Sequence, residues 1–126
     1  MGEAAKKLNR VLIVEDNQFM KTFYEKALKD LPVEFLYAGD GEDAVRLTLT
    51  ERPAMILMDI NIPKMDGVSA TQQIRKSAGC ETLPVIAVSA RSQDAYTRSA
   101  GFSEFIPKPV HVNALRDAVK RHLKLA

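Results

Sequence analysis

Short apolar runs and stretches of helical period take turns along this chain, five times over. Arg10 to Val14 is the first run. It lacks polar alternation, so both of its faces are covered, as in a parallel sheet. Asn17 can then cap a helix reaching about Leu31, with Phe19, Met20, Phe23, Ala27 and Leu28 on one face. Pro32 ends it. Val33 to Ala38 is less apolar and reads as an edge strand. After the turn at Gly39-Asp40-Gly41, Ala44, Val45, Leu47 and Leu49 mark a helix to about Thr50. Ala54 to Met58 is the third strand, and a loop from Asn61 to Gly67 leads into a helix marked by Val68, Ala70, Thr71 and Ile74. Pro84 to Ser89 is the fourth strand. Gln93 to about Ala100 offers a short, weakly apolar helix. Phe102 to Ile106 holds a brief fifth strand, and Asn113 to Leu123 closes with helical spacing.

Parallel strands need crossover helices, so this alternation predicts an α/β fold with a five-stranded parallel sheet and helices on both faces. The doubly wound, flavodoxin-like strand order 2-1-3-4-5 places ligands beyond the carboxyl ends of the strands, between strands 1 and 3. Chemistry collects at that edge. The first strand runs into Glu15-Asp16, the third into Asp59, the fourth ends at Ser89 and the fifth leads to Lys108. Three carboxylates sharing a site repel one another unless a cation relieves them. An all-oxygen set without Cys or His favours Mg²⁺, with Mn²⁺ as the second choice. Lys108 adds a point charge suited to phosphate. A carboxylate is a competent nucleophile for phosphoryl transfer.

Composition narrows the partners. At 126 residues the chain suits one domain, read as a solvated leader over 1–9 and a single domain over 10–126. Its net charge of +2 and 6% aromatics argue against nucleic acid or an anionic membrane as partner. No apolar run nears the ~20 residues that span a bilayer. The one cysteine, Cys80, reads as a small loop residue and fits a reducing, cytoplasmic compartment. His111 and His122 lack partners at metal-ligand spacing. Met55 and Met58 read as core, Met65 as exposed near the site.

Four segments carry a family resemblance: Val11 to Asn17, Met58 to Gly67, Val88 to Ala90 and Pro107 to Pro109. In that order and at those intervals they resemble the receiver domain of two-component response regulators, from about Arg10 onward. The resemblance implies that Asp59 accepts a phosphoryl group from a sensor histidine kinase or histidine phosphotransfer protein. It implies direct Mg²⁺ ligation by Asp16, a more water-mediated role for Glu15, and a carbonyl ligand from Asn61 beside Asp59. Lys108 would grip the phosphoryl group and Ser89 would turn toward it. Phe105 matches the aromatic switch position. The side chains of Asn61 and Arg91 sit where the family tunes dephosphorylation. The Lys108–Pro109 bond matches one that is often cis. The output implied is a face that selects a downstream protein target.

The chain also departs from that family. Lys108 follows Ser89 by 19 positions (108 − 89), shorter than most receivers by about one helical turn. The fourth helix should therefore be short, displaced or poorly ordered, which puts the usual output face in question. Tyr96 on that helix is either a packing aromatic or a partner contact.

Three other readings compete. Gly39 to Ala44 fits G-x-G-x-x-A between a strand and a helix, the pattern of a dinucleotide site. Its glycines follow the second strand rather than the first, and Glu42-Asp43 would face the pyrophosphate. A receiver fold that binds without phosphorylation leaves the acid and lysine set unexplained. A phosphatase working through an aspartyl intermediate needs an acid/base carboxylate where Asn61 stands.

Overall fold

The computed structural model describes residues 8–125. Its elements are β1 (Asn9–Val14), α1 (Gln18–Leu28), β2 (Val33–Ala38), α2 (Gly41–Glu51), β3 (Met55–Met58), α3 (Gly67–Arg75), β4 (Val85–Ser89), α4 (Ala95–Arg98), β5 (Glu104–Pro107) and α5 (Val112–His122). All strand pairs are parallel, in the order β2-β1-β3-β4-β5. Residues 1–7 of the expected leader lie outside the described residues. Asn9 is no part of a leader, because it pairs with Val33 and donates its N–H to Pro32 at 2.9 Å.

Each strand alternates its side chains between two buried layers. Val11, Ile13, Met55, Leu57, Ile86 and Val88 face α1 and α5. Leu12, Val14, Ile56, Met58 and Val85 face α2 and α3. A third, smaller cluster joins Ile60, Val68, Ala87 and Ala100 to the half-buried Phe102 and Phe105. Two covered faces explain why the inner strands carry no polar alternation.

The helices deviate from the expected pattern in instructive ways. Asn17 caps α1 by accepting from Met20 N–H at 3.0 Å, but the helix stops at Leu28 rather than Leu31. Its buried residues are Tyr24, Ala27 and Leu28. At 100° per residue, Phe19 lies about 180° from Leu28, and it is 80% exposed rather than on the core face. In α2 the inward residues are Gly41, Ala44 and Thr48, whose hydroxyl bonds Ala44 O at 2.7 Å. Leu49, one residue on, turns outward. β5 begins two residues later than expected. Met65 is half-buried against the α2/α3 layer rather than exposed. Met55 and Met58 are fully buried, as is Cys80 very nearly.

α4 is a single turn, capped by Asp94, which accepts from Thr97 N–H at 2.8 Å. Only Thr97 of the turn is buried. The segment is held from outside by Arg75 on α3. That guanidinium donates to Gly101 O, Cys80 O, Leu83 O and Ser103 Oγ at 2.6–3.2 Å.

Candidate functional site

The strand ladder continues one residue past each strand, and this brings the acidic residues level. Asp59 N–H donates to Val14 O at 3.1 Å, and Glu15 N–H donates to Ala38 O at 3.0 Å. Glu15 and Asp59 thus leave adjacent strands side by side. Lys108 N–H donates to Ser89 O at 3.0 Å, which sets the lysine at the same edge. The Lys108–Pro109 bond is cis.

The side chains then converge. Carboxylate oxygens of Glu15, Asp16 and Asp59 all lie within 4.8 Å of one another. Lys108 Nζ sits 3.4 Å from Asp59 Oδ2 and 3.5 Å from Glu15 Oε2. Glu15 and Asp59 are buried, at 1% and 7% exposure, whereas Asp16 is open to solvent. Burial first, and then the charge of Asp59, raise the Glu15 pKa, while Lys108 and the N–H of Asn17 pull it back. Three carboxylates and one ammonium leave the cluster under-compensated. Hard oxygen donors with one member facing water suit a divalent cation that keeps some of its hydration.

Around this core, Asn61 donates its N–H to Asp59 Oδ1 at 3.1 Å. Ser89 is buried, and its Oγ accepts from Arg91 N–H at 3.0 Å. Phe105 lies half-buried on β5. The Arg91 guanidinium is turned onto the ring of Tyr96, 5.2 Å from its centroid. Tyr96 is 40% exposed, more open than a packing aromatic, and its hydroxyl donates to Asp66 Oδ2 at 2.8 Å. Asp66 reads in sequence only as a turn residue before Gly67; it is also the cap of α3, accepting from Ser69 N–H at 2.8 Å. Its partner Tyr96 stands 30 positions away, and no local signal joins the two. The outward position of Phe19 follows from helical phase alone, once Tyr24 is counted as the core aromatic.

The G-x-G-x-x-A segment holds no nucleotide cradle. Asp40 occupies the cap of α2, accepting from Asp43 N–H at 2.8 Å. A Cβ on Gly41 would fall 1.9 Å from Met65 O, so the glycine serves close packing against the loop after β3.

Residues 11–120 match the response regulator receiver domain family. The chain belongs to that family. Among related receivers, the polar-differentiation response regulator DivK of Brucella anthropi is 29% identical over 116 residues, covering 90% of this chain and 94% of DivK. The sensor histidine kinase CheAY of Helicobacter pylori is 32% identical over 120 residues, which span 91% of this chain and only 15% of the kinase. The receiver domain of sensor histidine kinase PA1611 from Pseudomonas aeruginosa superposes with a TM-score of 0.85 at 31% identity, over 93% of this chain and 98% of that one. That structure has a magnesium ion coordinated in its active-site cleft. Receivers are signalling domains of two-component systems, and this receiver carries an acidic cluster at the carboxyl edge of its sheet. No helix among its described residues is long and apolar enough to cross a membrane.

Proposed function

We propose that Asp59 accepts a phosphoryl group from a phosphohistidine on a sensor histidine kinase or histidine phosphotransfer protein. The supporting observation is the position of its carboxylate, which belongs to the acidic cluster and, like that of Glu15, faces Lys108, but is the more open to solvent of that pair. Glu15, Asp16 and Asp59, with the Asn61 carbonyl, are the groups that would hold Mg²⁺, or Mn²⁺ as an alternative. The bound cation supplies charge neutralisation for the transferred oxygens. A carboxylate oxygen of Asp59 forms the new bond to phosphorus, the donor's nitrogen–phosphorus bond breaks, and its electron pair returns to the imidazole. Lys108 offsets the incoming negative charge from the other side.

The product carries roughly −1.5 to −2 charges more than a neutral residue and three acceptor oxygens. Ser89 then turns its hydroxyl to the phosphoryl group, Phe105 changes its burial, and the face of α4, β5 and α5 changes its preference for a downstream protein. The Asn61 and Arg91 side chains set how long the group survives. The chain promotes only its own phosphorylation and dephosphorylation, and acts in the cytoplasm.

The donor approaches over α1. Phe19, Phe23 and Val112 line an apolar groove, and a second groove joins Phe19 and Phe23 to Lys108, Pro109 and Val110. This exposed apolar surface runs up to the lysine of the site, where a donor helix bearing the phosphohistidine must sit.

Incubation with acetyl phosphate and Mg²⁺ tests the assignment. The wild-type chain should gain the mass of one phosphoryl group, and Asp59→Asn should gain none while keeping its circular dichroism spectrum. Equal labelling of the variant refutes the role of Asp59.

A further inference from the structure

Tyr96 links the two loops that border the site. Its hydroxyl donates to Asp66 Oδ2 at 2.8 Å, and Ser69 Oγ lies 3.4 Å away. The other Asp66 oxygen caps α3, so this carboxylate is fixed and Tyr96 is anchored to a rigid element. The ring supports the Arg91 guanidinium at 5.2 Å, a cation–π distance. Arg91 in turn donates its own N–H to Ser89 Oγ at 3.0 Å. A continuous chain of contacts thus runs from the Ser89 hydroxyl through Arg91 and Tyr96 to Asp66.

We infer that Tyr96 is a positioning residue that holds the Ser89–Arg91 loop in an arrangement opposing phosphorylation of Asp59. The inference rests on the phosphoacceptor reading above. In the structure, Ser89 Oγ is engaged by its own loop. In the proposed switch, rotating Ser89 Oγ to a phosphoryl oxygen removes the acceptor of the Arg91 backbone N–H, and the backbone shift that follows carries the guanidinium, and with it the Tyr96 ring it covers, away from Asp66. The bond between Tyr96 and Asp66 therefore favours only one of the two arrangements, and such a contact biases a two-state equilibrium. The packing of α4 opposes the movement only weakly, because the helix is one turn long with Thr97 its only buried residue, and the tethers from α3 hold its C-terminal end, at Ser99 and Gly101, rather than Tyr96. The short fourth helix thus trades packing for a polar latch. The Tyr96 ring is itself 40% exposed, so the hydroxyl can be lost without opening the core.

Tyr96→Phe removes the hydroxyl alone. Beryllofluoride, which mimics the phosphoryl group on a carboxylate, is titrated into the full chain at saturating Mg²⁺ and followed by amide NMR. The variant should bind it about three- to tenfold tighter, within the 1.4 kcal/mol that corresponds to tenfold. Its Mg²⁺ dissociation constant should stay at the wild-type value. Before any ligand is added, its Ser89 and Arg91 amide signals should already move toward their bound positions. A purely structural hydroxyl would leave affinity unchanged or weaken it, and either result overturns the inference. If the wild-type chain binds Mg²⁺ but no beryllofluoride, the phosphoacceptor reading fails and this one with it. If the wild type binds and the variant binds no tighter, only the latch is refuted.

Discussion

Lys108 Nζ lies 3.4 Å from Asp59 Oδ2, although 49 positions separate the two residues. The contact exists because β5 and β3 end at one edge of a parallel sheet. Its electrostatic consequence differs from that of the acids around it. Lys108 attracts the phosphoryl group but competes with a metal cation for the same carboxylates. Lys108→Ala should therefore slow labelling by acetyl phosphate about 100-fold, the scale of one lost preorganised donor. Its Mg²⁺ affinity, read by calorimetry, should be equal or higher. Parallel loss of both functions would show a collapsed site instead.

Glu15 makes the site pH-sensitive. Burial and then the Asp59 charge hold its pKa above the ordinary carboxylate value. The folded chain therefore binds this proton more tightly than the unfolded one. The contribution to metal-free stability is complete below the unfolded pKa of about 4.3 and is lost as pH rises through the folded value. Glu15→Gln should raise the urea midpoint of the metal-free protein at pH 7 and flatten that decline. Mg²⁺ binding by the wild type should release protons at mildly acidic pH, measured by calorimetry in buffers of different ionisation enthalpy. The variant should release fewer and bind Mg²⁺ more weakly.

Phe19 separates donor docking from chemistry. Phe19→Ala should cut transfer from a phosphohistidine donor by about fivefold or more, the scale of a hot spot worth roughly 1 kcal/mol. Labelling by acetyl phosphate, which needs no protein surface, should be unchanged. The two rates measured side by side decide the point.

Much of this was legible in the chain, for identifiable reasons. A parallel sheet buries both faces of its strands, so Val11 to Val14 and Met55 to Met58 read as uninterrupted apolar runs. The strand order then carries Glu15, Asp16, Asp59 and Lys108 to one edge without any knowledge of side-chain direction. Helix faces were harder. Phe19 and Leu49 are apolar yet point outward, while Thr48 is polar yet buried, its hydroxyl satisfied within its own helix. Hydrophobicity alone misassigns such residues, because backbone bonding can make a threonine a core residue. The contact of Tyr96 with Asp66 was beyond reach, since it depends on how a one-turn helix is tethered by Arg75 and Gln72 from α3.

Gly41 and Gly39 form an internal control two residues apart. A methyl on Gly41 meets Met65 backbone atoms, whereas one on Gly39 meets nothing within 4 Å. Gly41→Ala should cost about 2 kcal/mol through forced separation of α2 from the loop after β3. Gly39→Ala should stay within about 0.5 kcal/mol, as surface substitutions usually do. Urea denaturation of the two variants provides the comparison.

The most direct measurement identifies which carboxylate carries the phosphoryl group. The chain is labelled by its donor with Mg²⁺ present, reduced with borohydride so that an acyl phosphate becomes an alcohol, and digested for peptide mass spectrometry. The reduced side chain should occur at Asp59 and at no other acidic residue. Reduction at Glu15 or Asp16, or at none of the three, would contradict the account.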